Sequence, residues 1–303
     1  MATKDETSPR SKIVPHLWFD SQAVEAANFY ASVFPDAHVD RVAPVPADTP
    51  SGPEGSVQVV EMTVAGQPFM AINAGPLFKL NPSISFFVTL ERGKIDEAWQ
   101  SLSTGGKVLM PLDKYPFSER YGWVQDKYGV SWQLILNNPA GDWRPPLVPS
   151  LMFTGTNAGR AEEAVDFYLS VFKNSKRGQL ARYGAGQAPD KEGTIAFADF
   201  RLENQWLAAM DSAREHGFTF NEAVSLMVFC EDQKEIDYYW GKLSAVPQAE
   251  QCGWAKDRFG VSWQITPVAL HRLMKDPDKR RARRVTEAML QMKKFDIAAL
   301  ERA

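Results

Sequence analysis

The sequence predicts an α+β protein of four βαβββ units, which form mostly antiparallel, curved sheets around clefts and precede a C-terminal helical tail. The first observation is a repeat. GWVQDKYGVSWQL at 122–134 returns as GWAKDRFGVSWQI at 253–265, with eight of thirteen positions identical. FYASVF at 29–34 also returns, as FYLSVF at 167–172. A tandem duplication explains both repeats, and two copies of one fold can pair about a pseudo-twofold axis.

Each copy opens with a short strand and an amphipathic helix. The strands are predicted at 16–19 and 150–153. In the helices, apolar residues recur at i, i+3, i+4, i+7, i+10 and i+11, from Ala23 to Phe34 and from Ala161 to Phe172. This spacing is typical of a helix with one buried face. Alternating runs separated by turn residues then predict antiparallel strands, at 57–64, 68–73, 194–201 and 206–211.

The same order begins again inside each copy, with strands at 83–90 and 224–230 and helices around 95–102 and 236–243. A hairpin with its turn at 126–129 or 257–260 closes each copy. The predicted division of the chain is a polar N-terminal extension at 1–12, a first domain at 13–136, a linker at 137–146, a second domain at 147–267 and the helical tail at 268–303.

Composition excludes several classes of protein. At 303 residues with 23% charged residues the chain has the composition of two globular domains. It has neither a membrane-length apolar run nor a secretory leader. Its two cysteines lack a CxxC partner, so we expect a cytoplasmic protein with reduced thiols. The tail is basic, but its apolar stripe from Ala282 to Met292 is typical of a docked helix, so we expect no nucleic-acid partner.

Paired βαβββ units resemble the vicinal oxygen chelate superfamily, which includes glyoxalases, extradiol dioxygenases and bleomycin-resistance proteins. The closer resemblance is to its PhnB-like branch, often labelled 3-demethylubiquinone-9 3-methyltransferase. It extends over residues 13–303 and rests on the segments PHLWFD (15–20), FYASVF (29–34), FMAINAGP (69–76), FNEAVSL (220–226), YYWGKLSA (238–245), QCGWAKDRFGVSWQI (251–265) and LQMKKFDIAALE (290–301). The resemblance implies tandem glyoxalase-like domains.

In metal-dependent superfamily members, two units converge on a cleft and supply about four ligands. The resemblance places His16, Asn73, Ser83 and Gln133 at these positions in copy one, and Ser150, Asp211, Ala223 and Gln264 in copy two. If the units pair across copies, the sets are His16/Asn73/Ala223/Gln264 and Ser150/Asp211/Ser83/Gln133. The family glutamate falls on Gln133 and Gln264, which are neutral amides. No cofactor is firmly implied, and a weak divalent metal at His16 and Gln133 is the metal hypothesis.

Strand alternation places His16 and Trp18 on one face, and Gln133 on the corresponding face of its closing strand. We therefore predict a ligand cleft in copy one lined by His16, Trp18, Asn73, Ser83 and Gln133, with Asp211 and Gln264 as counterparts in copy two. Copy one also has ten extra residues between Leu102 and Trp123, and their aromatic segment at 110–121 predicts a lid. The structural alternatives are an internal hydrogen bond to a neighbouring strand for Gln133, a hydrogen-bonded histidine at the rim for His16 and a core aromatic for Trp18.

Three functions remain open at this point. The first is a small-molecule binding protein with an apolar cleft and a few polar anchors, and the second is a glyoxalase- or dioxygenase-like metalloenzyme that uses His16. The third, a methyltransferase, is disfavoured because Gly105-Gly106 and Gly184-Ala185-Gly186 do not join a buried strand to a helix. The sequence predicts intramolecular pairing of the copies and leaves a homodimer open.

Overall fold

The computed structural model describes residues 11–303, so the first ten residues of the predicted N-terminal extension lie outside the described part of the chain. Copy one contains two units, and the second follows the first without a break. Its elements are β1 (Ile13–Phe19), α1 (Ala23–Val33), β2 (His38–Pro44), β3 (Gln58–Val64), β4 (Gln67–Asn73), β5 (Ile84–Leu90), α2 (Arg92–Ser103), β6 (Lys107–Tyr115), β7 (Ser118–Gln125) and β8 (Ser131–Leu136).

Copy two repeats this order and ends in three tail helices. Its elements are β9 (Leu147–Phe153), α3 (Ala161–Val171), β10 (Lys176–Arg182), β11 (Ile195–Leu202), β12 (Gln205–Asp211), β13 (Val224–Cys230), α4 (Gln233–Leu243), β14 (Trp254–Lys256), β15 (Ser262–Pro267), α5 (Val268–Met274), α6 (Lys279–Leu290) and α7 (Ile297–Arg302). Short 3-10 turns lie at Gly155–Asn157 and Pro247–Ala249.

The strands form two sheets, and each sheet takes one unit from each copy. The seven-stranded sheet has the order β14-β15-β13-β1-β4-β3-β2, and the eight-stranded sheet has the order β10-β11-β12-β9-β5-β8-β7-β6. The copies join where β1 pairs antiparallel with β13 and where β5 pairs antiparallel with β9. The two units of copy one therefore belong to different sheets. The predicted intramolecular pairing is present, and it runs through crossed units.

The fourth unit differs from the predicted βαβββ pattern because it is βαββ. Only β14 and β15 follow α4, and β14 has three residues. In copy one the extra residues that were predicted to be a lid form the β6–β7 hairpin, paired from Lys107↔Gln125 to Tyr115↔Ser118 at the edge of the eight-stranded sheet. The corresponding segment of copy two is ten residues shorter and cannot form this hairpin. The seven-stranded sheet, to which that segment belongs, therefore has one strand fewer.

One hydrophobic core lies on the helix-bearing sides of both sheets and takes in residues of all four units and of the tail. Two buried aspartates connect the sheets through this core. Asp126, in the β7–β8 turn, accepts hydrogen bonds from Tyr30 Oη and Trp132 Nε1, both at 2.8 Å. Asp257 accepts the equivalent bonds from Tyr168 and Trp263 at 2.7 and 2.8 Å. Because Tyr30 and Tyr168 lie on α1 and α3, each aspartate connects a helix on one sheet to the closing strand of the other.

Each sheet also has a face that is turned away from this core. We call these two faces the seven-strand face and the eight-strand face. Along β1 the residues Ile13, Leu17 and Phe19 belong to the core, and strand alternation therefore puts Val14, His16 and Trp18 on the seven-strand face. The tail helix α6 buries Ala282 and Val285 and exposes Arg283 and Arg284, as its predicted apolar stripe requires.

Candidate functional site

His16 is the central polar residue of the seven-strand face. Its residue is 5% exposed, and burial lowers the pKa of its imidazole from 6.5 to about 3. The ring is therefore neutral at pH 7 and has one N–H donor and one nitrogen acceptor. Nδ1 is fully buried and has no hydrogen-bond partner among the described residues. A buried polar atom without a partner is costly in a folded protein, so a ligand that pairs with it would recover free energy.

Two side chains from copy two lie across the sheet from His16. Ser225 on β13 is its direct register partner, and Gln264 follows on β15, where it donates from Nε2 to Ser225 Oγ at 2.9 Å. Both side chains are buried. The floor of the site thus contains an imidazole, a hydroxyl and an amide, all of them neutral.

Aromatic and sulfur-containing side chains surround this polar floor. Trp254 meets the His16 ring edge-on, with 5.6 Å between the ring centroids. Trp18 lies 6.2 Å from Trp254 and 5.0 Å from Phe78, again between centroids. Met70 on β4 is the second register partner of His16. The surroundings are suited to an apolar or aromatic ligand body.

The tail helix α5 lies across one end of the same face. At its start, Val268 packs against the cluster of Val14, Met227 and Phe229. Further along, His271 Nε2 lies 3.0 Å and Lys275 Nζ 3.3 Å from Glu61 Oε1 on β3. Burial by itself would raise the pKa of Glu61, but the hydrogen bond and charge of His271, together with Lys275 and Arg41, lower it to about 2.

The eight-strand face has the same layout with different polar chemistry. Ser150 stands where β1 has His16, and its register partner is Ser85. Gln133 donates from Nε2 to Ser85 Oγ at 2.7 Å and accepts from Tyr121 Oη at 2.6 Å. Trp123 donates from Nε1 to Ser131 Oγ at 2.8 Å. None of these side chains has a buried polar atom without a partner, so this floor has no counterpart of the unpaired imidazole.

Asn73 and Asp211 lie outside both floors. Asn73 Oδ1 accepts the backbone N–H of Ala23 at 2.6 Å, at the start of α1. Asp211 accepts the backbone N–H groups of Gly159, Ala161 and Ile195 at 2.8 to 3.0 Å, at the start of α3 and beside it. These are helix-capping contacts, which satisfy N–H groups that have no partner inside the helix.

The set around His16 does not match a divalent metal site. A structural or catalytic metal needs several imidazole, thiolate or carboxylate donors, and the floor offers one imidazole, one amide and one hydroxyl. No group of three or more His, Cys, Asp or Glu side chains able to hold a metal occurs within residues 11–303. A single imidazole beside an amide and a hydroxyl, without a carboxylate, a thiolate or a second imidazole, favours hydrogen bonding over coordination.

The structure divides the predicted site residues between two faces. His16 and Trp18 lie on the seven-strand face with Gln264. Gln133 lies in the eight-stranded sheet with the β6–β7 hairpin, and Ser83 lies in the turn that precedes β5 of that sheet. A cleft between the two units of copy one is therefore not formed. Our prediction also missed three side chains on the floors, Ser85, Ser225 and Trp254. The repeat contained a signal for the two serines, because Ser85 in ISFFV and Ser225 in VSLMV occupy equivalent positions.

Comparison with known proteins identifies the family. The sequence profile described as 3-demethylubiquinone-9 3-methyltransferase matches twice, at residues 11–135 and 145–266. The chain belongs to this family. It is a tandem member, because the profile matches once in each copy. No curated protein matches the sequence. No helix within residues 11–303 combines the length and apolar character needed to cross a membrane.

Solved structures give the fold of the relatives. A putative 3-demethylubiquinone-9 3-methyltransferase, PhnB protein, from Bacillus cereus is 37% identical and covers 42% of this chain and 100% of its own, with a TM-score of 0.39. Glyoxalase I from Zea mays is 14% identical and covers 88% of this chain and 98% of its own, with a TM-score of 0.55. The second comparison extends the glyoxalase-like fold over both copies.

Proposed function

We propose that this protein binds a small, uncharged organic molecule on the seven-strand face, with His16 as the polar anchor. The observation that carries the proposal is the buried Nδ1 of His16, which lacks a partner within residues 11–303, whereas Ser150, its counterpart on the other face, has no buried unpaired polar atom. A few polar groups on an otherwise apolar surface are typical of small-molecule sites.

The charge of the ligand follows from the floor. The pKa of about 3 keeps His16 neutral, and Ser225 and Gln264 carry no charge. A ligand charge placed beside them would be desolvated without a counter-charge on this floor. A planar molecule with a hydroxyl or carbonyl group fits the imidazole and the rings of Trp18 and Trp254.

The test uses 2-naphthol and menadione as probes, with binding followed by calorimetry and by chemical-shift mapping. His16→Ser places on this face the residue that copy two has at the equivalent strand position. We expect an about five- to thirtyfold loss of affinity, because a hydrogen bond from a buried partner contributes about 1–2 kcal/mol. Ser150→Ala on the eight-strand face is the matched control and should leave affinity unchanged. Unchanged binding by the His16→Ser variant, or shifts confined to the eight-strand face, would disprove the anchor.

The alternative is metal-dependent glyoxalase or dioxygenase chemistry with His16 as a ligand. The single imidazole, amide and hydroxyl on the floor do not support it. We expect protein purified without chelator to hold much less than one equivalent of zinc, nickel, iron or manganese in elemental analysis. One full equivalent that disappears in the His16→Ser variant would restore the metalloenzyme hypothesis.

Methyl transfer, which the family description suggests, has no supporting loop in the two candidate segments. Gly105-Gly106 follows the end of α2 and precedes β6, and the segment 184–186 follows the edge strand β10. A nucleoside cofactor is usually bound where a glycine-rich turn leads from a parallel strand into a helix. We therefore propose that this protein binds a small molecule, and we assign it no methyl donor.

We also propose that the protein works in a reducing compartment. Cys230 is buried and Cys252 half-buried, and both are unpaired. Unpaired thiols support a reducing compartment such as the cytoplasm. A homodimer stays a prediction, which sedimentation analysis would decide.

A further inference from the structure

The outer end of the eight-strand face carries positive charge that the described part of the chain does not neutralise. Lys176 on β10, Arg201 on β11 and Trp206 on β12 are consecutive register partners. Lys176 and Arg201 are thus like charges directly opposite each other on neighbouring strands, an arrangement that destabilises a sheet. Arg201 Nε is buried and has no hydrogen-bond partner within residues 11–303.

The nearby carboxylate is already occupied. Asp199 accepts Arg144 Nε at 2.6 Å through one oxygen, and its other oxygen accepts Arg144 Nη2 at 3.3 Å and the backbone N–H of Gln179 at 2.6 Å. Arg144 also lies over the ring of Trp206, with 4.0 Å between Cζ and the ring centroid, and Lys176 Nζ lies 5.1 Å from the same centroid. Asp199 therefore neutralises Arg144 and leaves the pair of Lys176 and Arg201 without a carboxylate partner.

An apolar surface leads to this pair. Phe87, Phe197 and Trp206 belong to one cluster on the eight-strand face, and the rings of Phe87 and Phe197 meet edge-on with 6.0 Å between centroids. Phe87 and Phe197 are half-buried, so part of each ring remains open to solvent. The surface is apolar along its length and cationic at its outer end.

Copy one shows that the fold does not require these residues. In the seven-stranded sheet the corresponding register partners are His38, Thr63 and Pro68. The equivalent place in copy one thus lacks the pair of Lys and Arg side chains and the aromatic ring. A local arrangement that opposes stability and is absent from the equivalent place indicates a role in binding.

We propose that the eight-strand face binds an apolar or aromatic molecule carrying a carboxylate or phosphate group. Lys176 and Arg201 hold the anionic group, and Phe87, Phe197 and Trp206 contact its apolar body. Charge-assisted hydrogen bonds to arginine are stronger than neutral ones, and an aromatic body supplies the contact area. This site is separate from the neutral site proposed at His16.

The experiment measures binding of 2-naphthoate, of its uncharged analogue 2-naphthamide and of inorganic phosphate by calorimetry at low salt. The probes are compared in the His16→Ser background, because the neutral site proposed at His16 would itself bind 2-naphthamide. We expect 2-naphthoate to bind at least tenfold more tightly than either control probe, and to weaken as salt is raised. The double variant K176Q/R201Q should lose at least tenfold in affinity for 2-naphthoate. Its melting temperature should not fall, because the substitution removes a repulsion.

Two control variants make the result specific. Arg177→Gln removes a neighbouring cation whose ion pair is with Asp166, and it should leave 2-naphthoate binding unchanged. His16→Ser should also leave it unchanged, so failure at the neutral site does not affect this result. Equal affinity for 2-naphthoate and 2-naphthamide, unchanged affinity in K176Q/R201Q, or no measurable binding of 2-naphthoate would each overturn the proposal.

Discussion

The two faces share one frame and differ in the residues that a ligand would meet. Each face has an acidic residue at the same place, Glu61 on one and Asp199 on the other, since Glu61 opposes Met70 and Asp199 opposes Ala208 in equivalent strand pairs. Each is bound by a cation from the segment after the closing strand, Lys275 and Arg144. Lys275 follows Gln264 by the same eleven positions that separate Arg144 from Gln133.

This comparison shows that the two copies share the contacts that hold the sheets and differ in polar side chains on the two faces. His16 in copy one corresponds to Ser150 in copy two, and Thr63 in copy one corresponds to Arg201 in copy two. The first exchange gives one face an unpaired neutral imidazole, and the second gives the other face an unpaired cation. We infer that the two faces select ligands of different charge.

The largest effect is expected where the two halves are alike. Asp126→Ala and Asp257→Ala each remove an acceptor that serves a tyrosine hydroxyl, a tryptophan N–H and two backbone N–H groups. Leaving such buried donors unpaired should lower the free energy of unfolding by about 3–5 kcal/mol in either variant. Urea unfolding followed by tryptophan fluorescence measures it.

The exposed Asp142 provides a control for these variants, since Asp142→Ala should change stability by less than about 0.5 kcal/mol. Equal losses in the two aspartate variants would support a shared frame. A loss in only one of them would show that the halves are not held in the same way.

Much of this frame was predictable, because its signals are local in sequence. The helix spacing from Ala23 and Ala161, and the hairpin turns at Asp126 and Asp257, gave elements that the structure contains. Alternation also put His16 on the face away from the helices. The alternation of residues along one strand does not reveal which strand pairs with it. Pairing across copies brings Ser225 opposite His16, where the crossed set implied by the family had Ala223.

The corrections to the predicted site have physical reasons as well. Asn73 and Asp211 end their strands beside helix N-termini, whose unpaired N–H groups recruit their oxygens. The predicted lid is a hairpin because its alternating residues can extend an open sheet edge. Equal spacing from the closing glutamines would have revealed Arg144 and Lys275, but their partners Asp199 and Glu61 required the three-dimensional register.

A smaller effect is expected from His16, and it depends on pH. The pKa of His16 is about 3 in the folded protein and 6.5 when the side chain is exposed. Between these two values the imidazole is protonated in the unfolded chain and neutral in the folded chain. Stability should therefore fall as the pH drops below 6.5, by about 2 kcal/mol between pH 6.5 and 4.5 from this residue. His16→Ser should remove that part of the pH dependence in urea unfolding.

Ser150→Ala is the matched variant on the other face, and we expect it to keep the full pH dependence of the parent. If His16→Ser and the parent lose stability equally between pH 6.5 and 4.5, the imidazole takes up a proton in the folded state. That result would also remove the argument for a neutral ligand.

The smallest effect concerns the cations that follow the closing strands. Arg144 contacts both oxygens of a nearly buried carboxylate, whereas Lys275 shares Glu61 with His271 and Arg41. Because sharing makes any one partner more dispensable, the coupling free energy should be about 1–2 kcal/mol for Arg144–Asp199 and below about 1 kcal/mol for Lys275–Glu61. Double-mutant cycles with R144Q/D199N and K275Q/E61Q measure both values. A coupling for Lys275–Glu61 as large as that for Arg144–Asp199 would show that sharing a carboxylate does not make one cation more dispensable.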